Sequence, residues 1–172
     1  ATPVAALEAA AALARARGYE VQNLGDQVTG EARDVAAAHA EFARKARADG
    51  RRLAIISGGE LEVTVRNRAG RGGRSQEYAL ALACALDGLS GVSALAADTD
   101  GIDGGDGQVS DPAGAVIGPD TLARAQERHA DARKALDNND ATTLFEALGD
   151  LVHTGPTHTN VNDFRVILVE PA

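Results

Sequence analysis

Four glycine-rich polar segments of this chain lie beside apolar runs and carry the residues that could do chemistry. Glycine lets backbone N–H groups approach a ligand closely, and arginine and carboxylate side chains supply charge. In an open α/β sheet, such loops gather at one edge of the strands. We therefore predict one site for a small anionic ligand, either alone or with a metal ion. The four segments are Ser57–Glu60, Gly70–Glu77, Asp98–Gly104 and Gly155–Asp163.

The segment Gly70–Glu77 follows a predicted strand and opens a predicted helix, a setting in which backbone amides hold phosphate groups. It is not a Walker A loop, because it has no Gly-Lys-Ser/Thr sequence, and the third glycine of a dinucleotide fingerprint is missing. Arg71 and Arg74 favour anion binding, because a guanidinium can form two hydrogen bonds with phosphate or carboxylate. The structural alternative is an ordinary helix start, with Ser75 as the N-cap and Arg74 solvated.

Asp98 and Asp100 directly follow a predicted buried strand. Clustered carboxylates at a strand end suit Mg²⁺, which takes one or two carboxylates together with substrate phosphates. An EF-hand loop is excluded, because Ile102 occupies one of its ligand positions. A general base is the other functional interpretation, and a solvated Asp/Gly-rich loop is the structural alternative.

The segment Gly155–Asp163 is rich in hydroxyl and amide side chains and precedes the last predicted strand. Its Thr157, Thr159 and Asn160 are candidates for hydrogen bonds to a ligand. Glu60 follows two glycines at a strand end. Glu60 either binds a cation or a hydroxyl group of a ligand, or it is simply a charged turn residue.

Composition restricts the class of protein. The 172 residues favour one domain, and 17 basic against 25 acidic residues give a net charge of −8, which argues against a nucleic-acid or membrane-surface partner. There is no secretory signal and no apolar run of about 18 residues, so we expect a cytoplasmic protein without a membrane span. The sequence has no methionine and starts within a predicted helix, so we expect a fragment of a longer polypeptide.

Helical and strand patterns alternate along the chain, which favours a three-layer α/β/α domain over residues 1–172. The runs 53–57 and 61–66 are joined too closely for a crossover, so we expect them to pair antiparallel. The expected fold is therefore α/β, with a mixed, mostly parallel sheet. Predicted helices cover 4–17, 31–48, 76–87, 120–136 and 141–148. Predicted strands cover 19–24, 53–57, 61–66, 92–97, 151–154 and 164–169, and 113–117 is either a strand or a helix start.

Five motifs taken together resemble the C-terminal MOFRL domain of the glycerate 2-kinase family, in which many members are labelled hydroxypyruvate reductase. The resemblance extends from about residue 19 to residue 169, and the shared order of the motifs makes it specific, although each motif alone is weak. Ser75 stands where the family usually has Asn, and His158 where it usually has Gly. The motifs are Ser57–Glu60, Gly72–Glu77, Asp98–Gly104, Asn138–Asp140 and Gly155–Asp163.

The resemblance implies ATP-dependent phosphorylation of D-glycerate to 2-phosphoglycerate, with Mg²⁺. Family enzymes have two α/β domains with the active site between them. The chain is therefore expected to be the C-terminal domain, inactive without a larger N-terminal domain that carries a lysine. By motif position, Arg74 would stabilise phosphoryl or carboxylate charge, and Asp98 or Asp100 would hold the metal or position the attacking hydroxyl. The implied substrate- and phosphate-binding residues are Gly58, Gly59, Glu60, Gly72, Gly73, Ser75, Gln76, Thr157, Thr159 and Asn160.

Two other functions stay open. The family label favours an NADH- or NADPH-dependent hydroxypyruvate reductase, although this chain lacks a full dinucleotide fingerprint. The third function is a stand-alone domain that binds a small anion without catalysis. For an enzyme, the expected partners are a small hydroxy acid, a nucleotide and the protein's own N-terminal domain, with a homodimer as an optional assembly.

Overall fold

A six-stranded sheet forms the centre of the computed structural model, which describes residues 2–171. In spatial order its strands are β1 (Glu20–Asn23), β3 (Leu53–Ser57), β8 (Asp163–Val169), β5 (Val92–Asp98), β6 (Gly114–Ile117) and β7 (Leu151–Val152). The last strand in the chain, β8, therefore lies in the middle of the sheet. A separate two-stranded sheet pairs β2 (Gly30–Glu31) with β4 (Leu61–Glu62).

The α/β class and the mixed sheet are confirmed, but the sheet is less parallel than predicted. Strands β1, β3, β5 and β7 run in one direction, yet within residues 2–171 only the β1–β3 ladder of this sheet is parallel. The reason is that β8 and β6 run the opposite way and are inserted between the co-directional strands. Every other neighbouring pair is therefore antiparallel.

The predicted antiparallel pairing of 53–57 with 61–66 is wrong. After β3 the chain turns at Gly58–Glu60 and leaves the central sheet, and only Leu61 and Glu62 form a strand, which pairs in parallel with β2. The place beside β3 is taken by β8, whose whole ladder with β3 is antiparallel. A local turn signal cannot show that a strand more than 100 residues away competes for the same edge.

Helices cover both faces of the sheet, so the predicted three-layer arrangement is confirmed. Strand β8 shows the two faces: Ile167 and Val169 belong to the larger core, whereas Val166 and Leu168 pack in a smaller cluster with Leu7. Helix α1 (Pro3–Ala16) covers the smaller cluster. The larger core holds α2 (Ala32–Ala48), α3 (Arg74–Leu86), α4 (Thr121–Glu127), α5 (Ala132–Asp137) and α6 (Ala141–Leu148).

Helix α3 is buried on nearly all sides and so is held firmly against the sheet. Tyr78, Leu80 and Leu82 are fully enclosed, and α2 presents alanines such as Ala36 and Ala40 to it. Small side chains allow the two helices to lie close together, and each buried large side chain contributes roughly 1.5–3 kcal/mol of stabilisation. The first residue of α3 is Arg74, so this packing anchors the backbone of a predicted catalytic residue.

The predicted helix 120–136 is two helices, α4 and α5. The chain reverses at His129, whose φ of 57° lies in the left-handed region, and Asp131 then caps α5 by accepting the N–H of Lys134. The helical periodicity on both sides of this turn hides the break in the sequence. Within residues 2–171, no helix is long and apolar enough to cross a membrane.

Replacement of Gly59, at the turn after β3, tests how tightly the glycine segments are packed. Its φ is +98°, and an added Cβ would overlap the backbone of Val28, so we expect Gly59→Ala to lower the free energy of unfolding by at least about 2 kcal/mol. Gly25→Ala is the control, because Gly25 has a φ of +86° but open space around it. Urea unfolding of both variants measures the difference, and equal losses would show that backbone strain alone is responsible.

Candidate functional site

The predicted site lies at one edge of the central sheet, where β3 and β5 end and β8 begins. Asp98 ends β5, Asp163 begins β8, and the two residues are directly paired in the ladder. A cleft of about 650 Å³ opens here between residues 61–73 and residues 98–107, and Arg74 and Asn160 also line it. The strand order therefore brings parts of all four glycine-rich segments to one place, as the sequence predicted.

The guanidinium of Arg74 forms the centre of this site and binds three carboxylates. Its Nε donates to Oδ1 of Asp163 (2.8 Å), Nη1 to Oε1 of Glu60 (2.6 Å) and Nη2 to Oδ2 of Asp98 (2.9 Å). The three partners differ greatly in exposure: the side chain of Asp163 is fully buried, that of Asp98 is 8% exposed and that of Glu60 is 59% exposed. Arg74 thus has an inner side fixed by buried carboxylates and an outer side that faces solvent.

The charges around Arg74 perturb one another. Burial alone would lower the pKa of Arg74, but the hydrogen bond and charge of Asp163, together with Asp98 and Glu60, raise it overall. The pKa of Asp98 is raised, chiefly by burial and further by the neighbouring charges of Asp100 and Asp163, while the N–H of Asp100 and the charge of Arg74 oppose this. A carboxylate with a raised pKa in a cleft is a candidate acid or base.

Asp100 lies beside Asp98 and lines the same cleft. Its backbone N–H donates to Oδ1 of Asp98 (3.1 Å), and its own Oδ1 accepts the N–H of Ile102 (2.8 Å). Within residues 2–171, no group of three or more His, Cys, Asp or Glu side chains is arranged to hold a metal. Asp98 and Asp100 nevertheless fit the weaker requirement of Mg²⁺, which uses one or two carboxylates and completes its shell with phosphates and water.

The N-terminus of α3, predicted to bind phosphate, is occupied by Asp103. The N–H of Ser75 donates to Oδ1 of Asp103 (2.9 Å), and the N–H of Gln76 donates to Oδ2 (2.8 Å). The Gln76 side chain is bound as well, by the backbone oxygen of Asp103 and by Thr142. Ser75 and Gln76 are fully buried, so in this structure they support the site and are not exposed to a ligand.

The N-cap residue of α3 also differs from the one that the sequence suggested. The N-cap residue is Gly73 rather than Ser75, and the Oγ of Ser75 has no hydrogen-bond partner among residues 2–171. An added Cβ on Gly73 would overlap the backbone of Asp103, so glycine is required for the close approach of the two loops. Gly72 and Gly73 line the cleft, and the missing side chain of Gly73 leaves room for Asp103. Ligand contacts of Gly72 and Gly73 remain a prediction.

The predicted ligand groups of Gly155–Asp163 divide into two sets. Asn160 lines the cleft, whereas Thr157 and Thr159 lie on the exposed surface beside it. Thr157 ties its loop to the aspartate segment, because its N–H donates to the backbone oxygen of Asp100 (2.9 Å) and its hydroxyl to that of Thr99. The hydroxyl of Thr157 is thus already used in holding the loop.

Gly58 and Gly59 are buried behind the cleft and do not line it. The backbone oxygen of Gly58 accepts a hydrogen bond from Arg165, and that of Gly59 accepts the N–H of Asp163 (3.1 Å). Of the segment Ser57–Glu60, Glu60 is therefore the residue that reaches Arg74. Ligand contacts of the two glycines remain a prediction.

The geometry can be compared with known proteins. A model described as MOFRL family matches residues 53–163, which include most of the cleft. The chain belongs to the MOFRL family. The resemblance identified from the five motifs is thereby confirmed.

Relatives of this MOFRL chain carry two different names. Two Agrobacterium vitis proteins named "Putative hydroxypyruvate reductase" are each 49% identical to it over 98% of the chain, covering 44% and 39% of their own lengths. A Thermotoga maritima D-glycerate 2-kinase is 35% identical over 93% of the chain and 38% of its own length. The chain thus spans about two fifths of the length of these relatives.

Solved structures have the same fold. A crystal structure of Thermotoga maritima glycerate kinase superposes with a TM-score of 0.91 at 33% sequence identity, covering 98% of this chain and 40% of the other. A Pyrococcus horikoshii protein superposes with a TM-score of 0.91 at 28% identity, covering 100% of this chain and 39% of the other. The α/β architecture of the MOFRL chain is therefore that of glycerate kinase structures.

Sequence reasoning gave no supporting role to the buried residues that hold the MOFRL site together, above all Asp163, Arg165 and Asp103. Arg165 could have been found, because strand alternation places it on the same face as Asp163 and the core residue Ile167. A charge on the buried face of a strand requires a buried partner. Asp103 had no such signal, since its partners are backbone N–H groups of a distant helix.

The Asn138–Asp140 motif of the family has a similar supporting role. Asn139 accepts the N–H of Arg66 through Oδ1 (2.7 Å) and donates Nδ2 to Oε1 of Glu77 (3.2 Å). Asp140 accepts the N–H of Arg71 (3.0 Å), and an added Cβ on Gly70 would overlap the backbone of this motif. The motif therefore shapes the wall of the cleft, which Asn139 lines.

Asp103 gives the MOFRL chain a defined pH dependence. Burial raises its pKa to about 6, against the opposing hydrogen bonds of Ser75 and Gln76, so the folded chain binds this proton more tightly than the unfolded chain does. The resulting stabilisation is fully present below the unfolded pKa of about 4 and is lost as the pH rises through the folded value. We expect the stability of the wild type relative to Asp103→Asn to increase as the pH falls from 7 to 4. Urea unfolding across that range measures it, and a constant difference would contradict the assignment.

Proposed function

We propose that this chain is the C-terminal part of an ATP-dependent D-glycerate 2-kinase. In this proposal, it contributes Arg74, Asp98 and Asp100 to an active site shared with an N-terminal domain. The observation that carries the proposal is one arginine held by buried carboxylates at a cleft that also contains Asp100. Further support comes from the name of the Thermotoga maritima relative, D-glycerate 2-kinase.

Phosphoryl transfer relies on positioning and on stabilisation of negative charge, and Arg74 is suited to both. Its pair with Glu60 is the exposed one, and exposed ion pairs contribute only about 0–1 kcal/mol. A carboxylate or phosphate of the substrate can therefore replace Glu60 at Nη1. Meanwhile Asp163 and Asp98 keep the guanidinium in place.

Mg²⁺ is expected at Asp98 and Asp100. The cluster around Arg74 contains the carboxylates of Glu60, Asp98, Asp100 and Asp163. The cluster's negative charge would repel an anionic substrate, so additional positive charge is required. A bound Mg²⁺ would neutralise phosphate oxygens, and a lysine of the N-terminal domain would add to it. The alternative to metal binding is that Asp98, whose pKa is raised, orients the attacking hydroxyl as a general base.

Hydroxypyruvate reduction with NADH or NADPH is the second candidate, supported by the name of the Agrobacterium vitis relatives. Against it, the N-terminal amides of α3, where a dinucleotide phosphate would bind, are occupied by Asp103. A non-catalytic domain that binds a small anion is the third. For the enzyme we further propose a cytoplasmic location, a hydroxy acid and a nucleotide as ligands, and a homodimer as its assembly.

Activity assays on the full-length protein test the proposal directly. We expect ADP formation from D-glycerate and MgATP, with no oxidation of NADH or NADPH in the presence of hydroxypyruvate. Oxidation of the reduced nucleotide without ADP formation would overturn the kinase and support the reductase. Tartronate in place of glycerate measures how the cleft discriminates between related acids.

Replacement of Arg74 tests its role. In the full-length protein we expect Arg74→Ala to lower kcat/KM for glycerate by at least about tenfold, or roughly 1.4 kcal/mol, because charge stabilisation at the cleft is lost. Arg51→Ala is the control, since Arg51 pairs with Glu20 on the surface away from the cleft and should leave the kinetics unchanged. Equal kinetics for the Arg74 variant and the wild type would remove Arg74 from the site.

The chain of residues 1–172 by itself should show no kinase turnover, because the proposal assigns part of the active site to another domain. A coupled assay for ADP, run beside the full-length protein at equal concentration, measures this. Circular dichroism of the same sample shows whether the chain is folded. Glycerate-dependent ADP formation by the folded chain would contradict a shared active site.

A further inference from the structure

Asp163 lies between two arginines and is sealed from solvent. Its Oδ1 accepts Nε of Arg74 (2.8 Å), and its Oδ2 accepts Nη1 of Arg165 (3.1 Å) and the backbone N–H of Leu61 (3.4 Å). The side chain is fully buried. A carboxylate in such a place is costly unless its charge is compensated and its oxygens are hydrogen-bonded, and both conditions are met here.

Arg165 is fixed on the opposite side of Asp163 from Arg74. It is 1% exposed, its Nε donates to Oγ of Ser57 (3.1 Å), and its Nη2 donates to the backbone oxygen of Gly58. Its guanidinium carbon lies 5.7 Å from the centre of the Tyr78 ring. Every nitrogen of this side chain therefore has a buried partner where β3 ends and β8 begins, so Arg165 is a fixed support for Asp163.

The side chains around Arg165 and Asp163 do not add a further charge to this ion pair. The Tyr78 hydroxyl is hydrogen-bonded to Nδ1 of His39 at 2.8 Å. Burial and the charge of Arg165 lower the pKa of His39 to about 4, so this histidine is neutral near pH 7. The fully buried charges of this group are thus those of Arg165 and Asp163, whereas the side chain of Arg74 is 27% exposed.

We propose that Asp163 is a positioning residue that orients Arg74 for the reaction, held in turn by Arg165. By binding Nε, Asp163 sets the rotation of the guanidinium plane and leaves Nη1 and Nη2 directed towards Glu60 and Asp98. A free arginine side chain loses rotamer entropy when it is immobilised, so an orientation fixed in advance favours binding of a substrate anion. This inference rests on the proposed function of Arg74.

The alternative is that Asp163 has a purely structural role, and the experiments must distinguish that role from the positioning of Arg74. Asp163 begins β8, and its backbone N–H binds the oxygen of Gly59, so its replacement will affect stability in any case. Loss of stability alone therefore cannot support the proposal. A readout that depends on the presence of Arg74 is needed.

A double-mutant cycle in the full-length protein provides that readout. We expect Asp163→Asn to lower kcat/KM for glycerate at least about tenfold in the wild-type background and by less than about twofold in the Arg74→Ala background. If Asp163 acts through Arg74, its replacement has nothing left to disturb once Arg74 is gone. Independent losses that multiply in the double variant would overturn the proposal. Asp163→Glu, which keeps the charge but moves the carboxylate, is tested in the same cycle in case Asp163→Asn does not fold.

Asp150→Asn is the matched control. Asp150 is 12% exposed and binds Arg124 through both oxygens (3.1 and 2.6 Å), away from the cleft. We expect this variant to lower the melting temperature and to leave kcat and KM unchanged. A loss of kcat/KM comparable to that of the Asp163 variants would show that any broken arginine–carboxylate pair impairs the enzyme, and would overturn a specific role for Asp163.

Crystal structures of the full-length wild type and the Asp163 variant give a readout that does not depend on kinase activity. We expect the guanidinium of Arg74 to leave its position between Asp163 and Asp98 in the variant. An unmoved Arg74 would overturn the positioning role even if the protein proves to be a kinase. Conversely, if Arg74 is displaced but the protein has no glycerate kinase activity, the link between Asp163 and Arg74 is supported and only the proposed function is rejected.

Discussion

The site depends on the ion pairs that one guanidinium, that of Arg74, makes with carboxylates from three separate segments. Asp98 and Asp163 sit side by side at the edge of the sheet, and Glu60 projects from the turn after β3. Without the cation between them these carboxylates would repel one another, and burial would raise the cost further. Arg74 therefore holds the edge together while remaining the group that a substrate anion would meet.

The glycines of the four segments allow neighbouring loops to pack closely, whereas the glycines of a phosphate loop allow the backbone to approach a ligand. Gly73 and Gly70 lie where an added Cβ would overlap the backbone of a neighbouring loop. Asp103 accepts hydrogen bonds from the N–H groups at the start of α3, which a phosphate would otherwise use. Asn139 accepts hydrogen bonds from the backbone N–H groups of residues 66 and 67. These four backbone amides thus bind the loops to one another. The side chains that line the cleft and could meet a ligand include those of Arg74, Asp100 and Asn160.

Much of this organisation could be predicted from the sequence. The alternation of helical and strand patterns indicated a three-layer α/β domain, and five motifs in order indicated the MOFRL family. The expectation that loops at strand ends gather at one edge correctly brought Arg74, Asp98 and Asp100 together. Ser75 and Gln76 lie at the same edge, but their N–H groups bind Asp103, because a helix N-terminus attracts an internal carboxylate as readily as a phosphate. The choice between the two depends on which group the tertiary structure places there.

By itself, the sequence determined what is local: the positions of most helices and strands, the turns at glycine, and the residue types at each strand end. These follow from side-chain periodicity and backbone preference over a few residues. The tertiary structure alone decided that β8 lies between β3 and β5, that β4 leaves the sheet, and that Asp163 separates two arginines. Most of these contacts join segments that are far apart in the chain, and they are selected by the packing of the whole core, which no local pattern records.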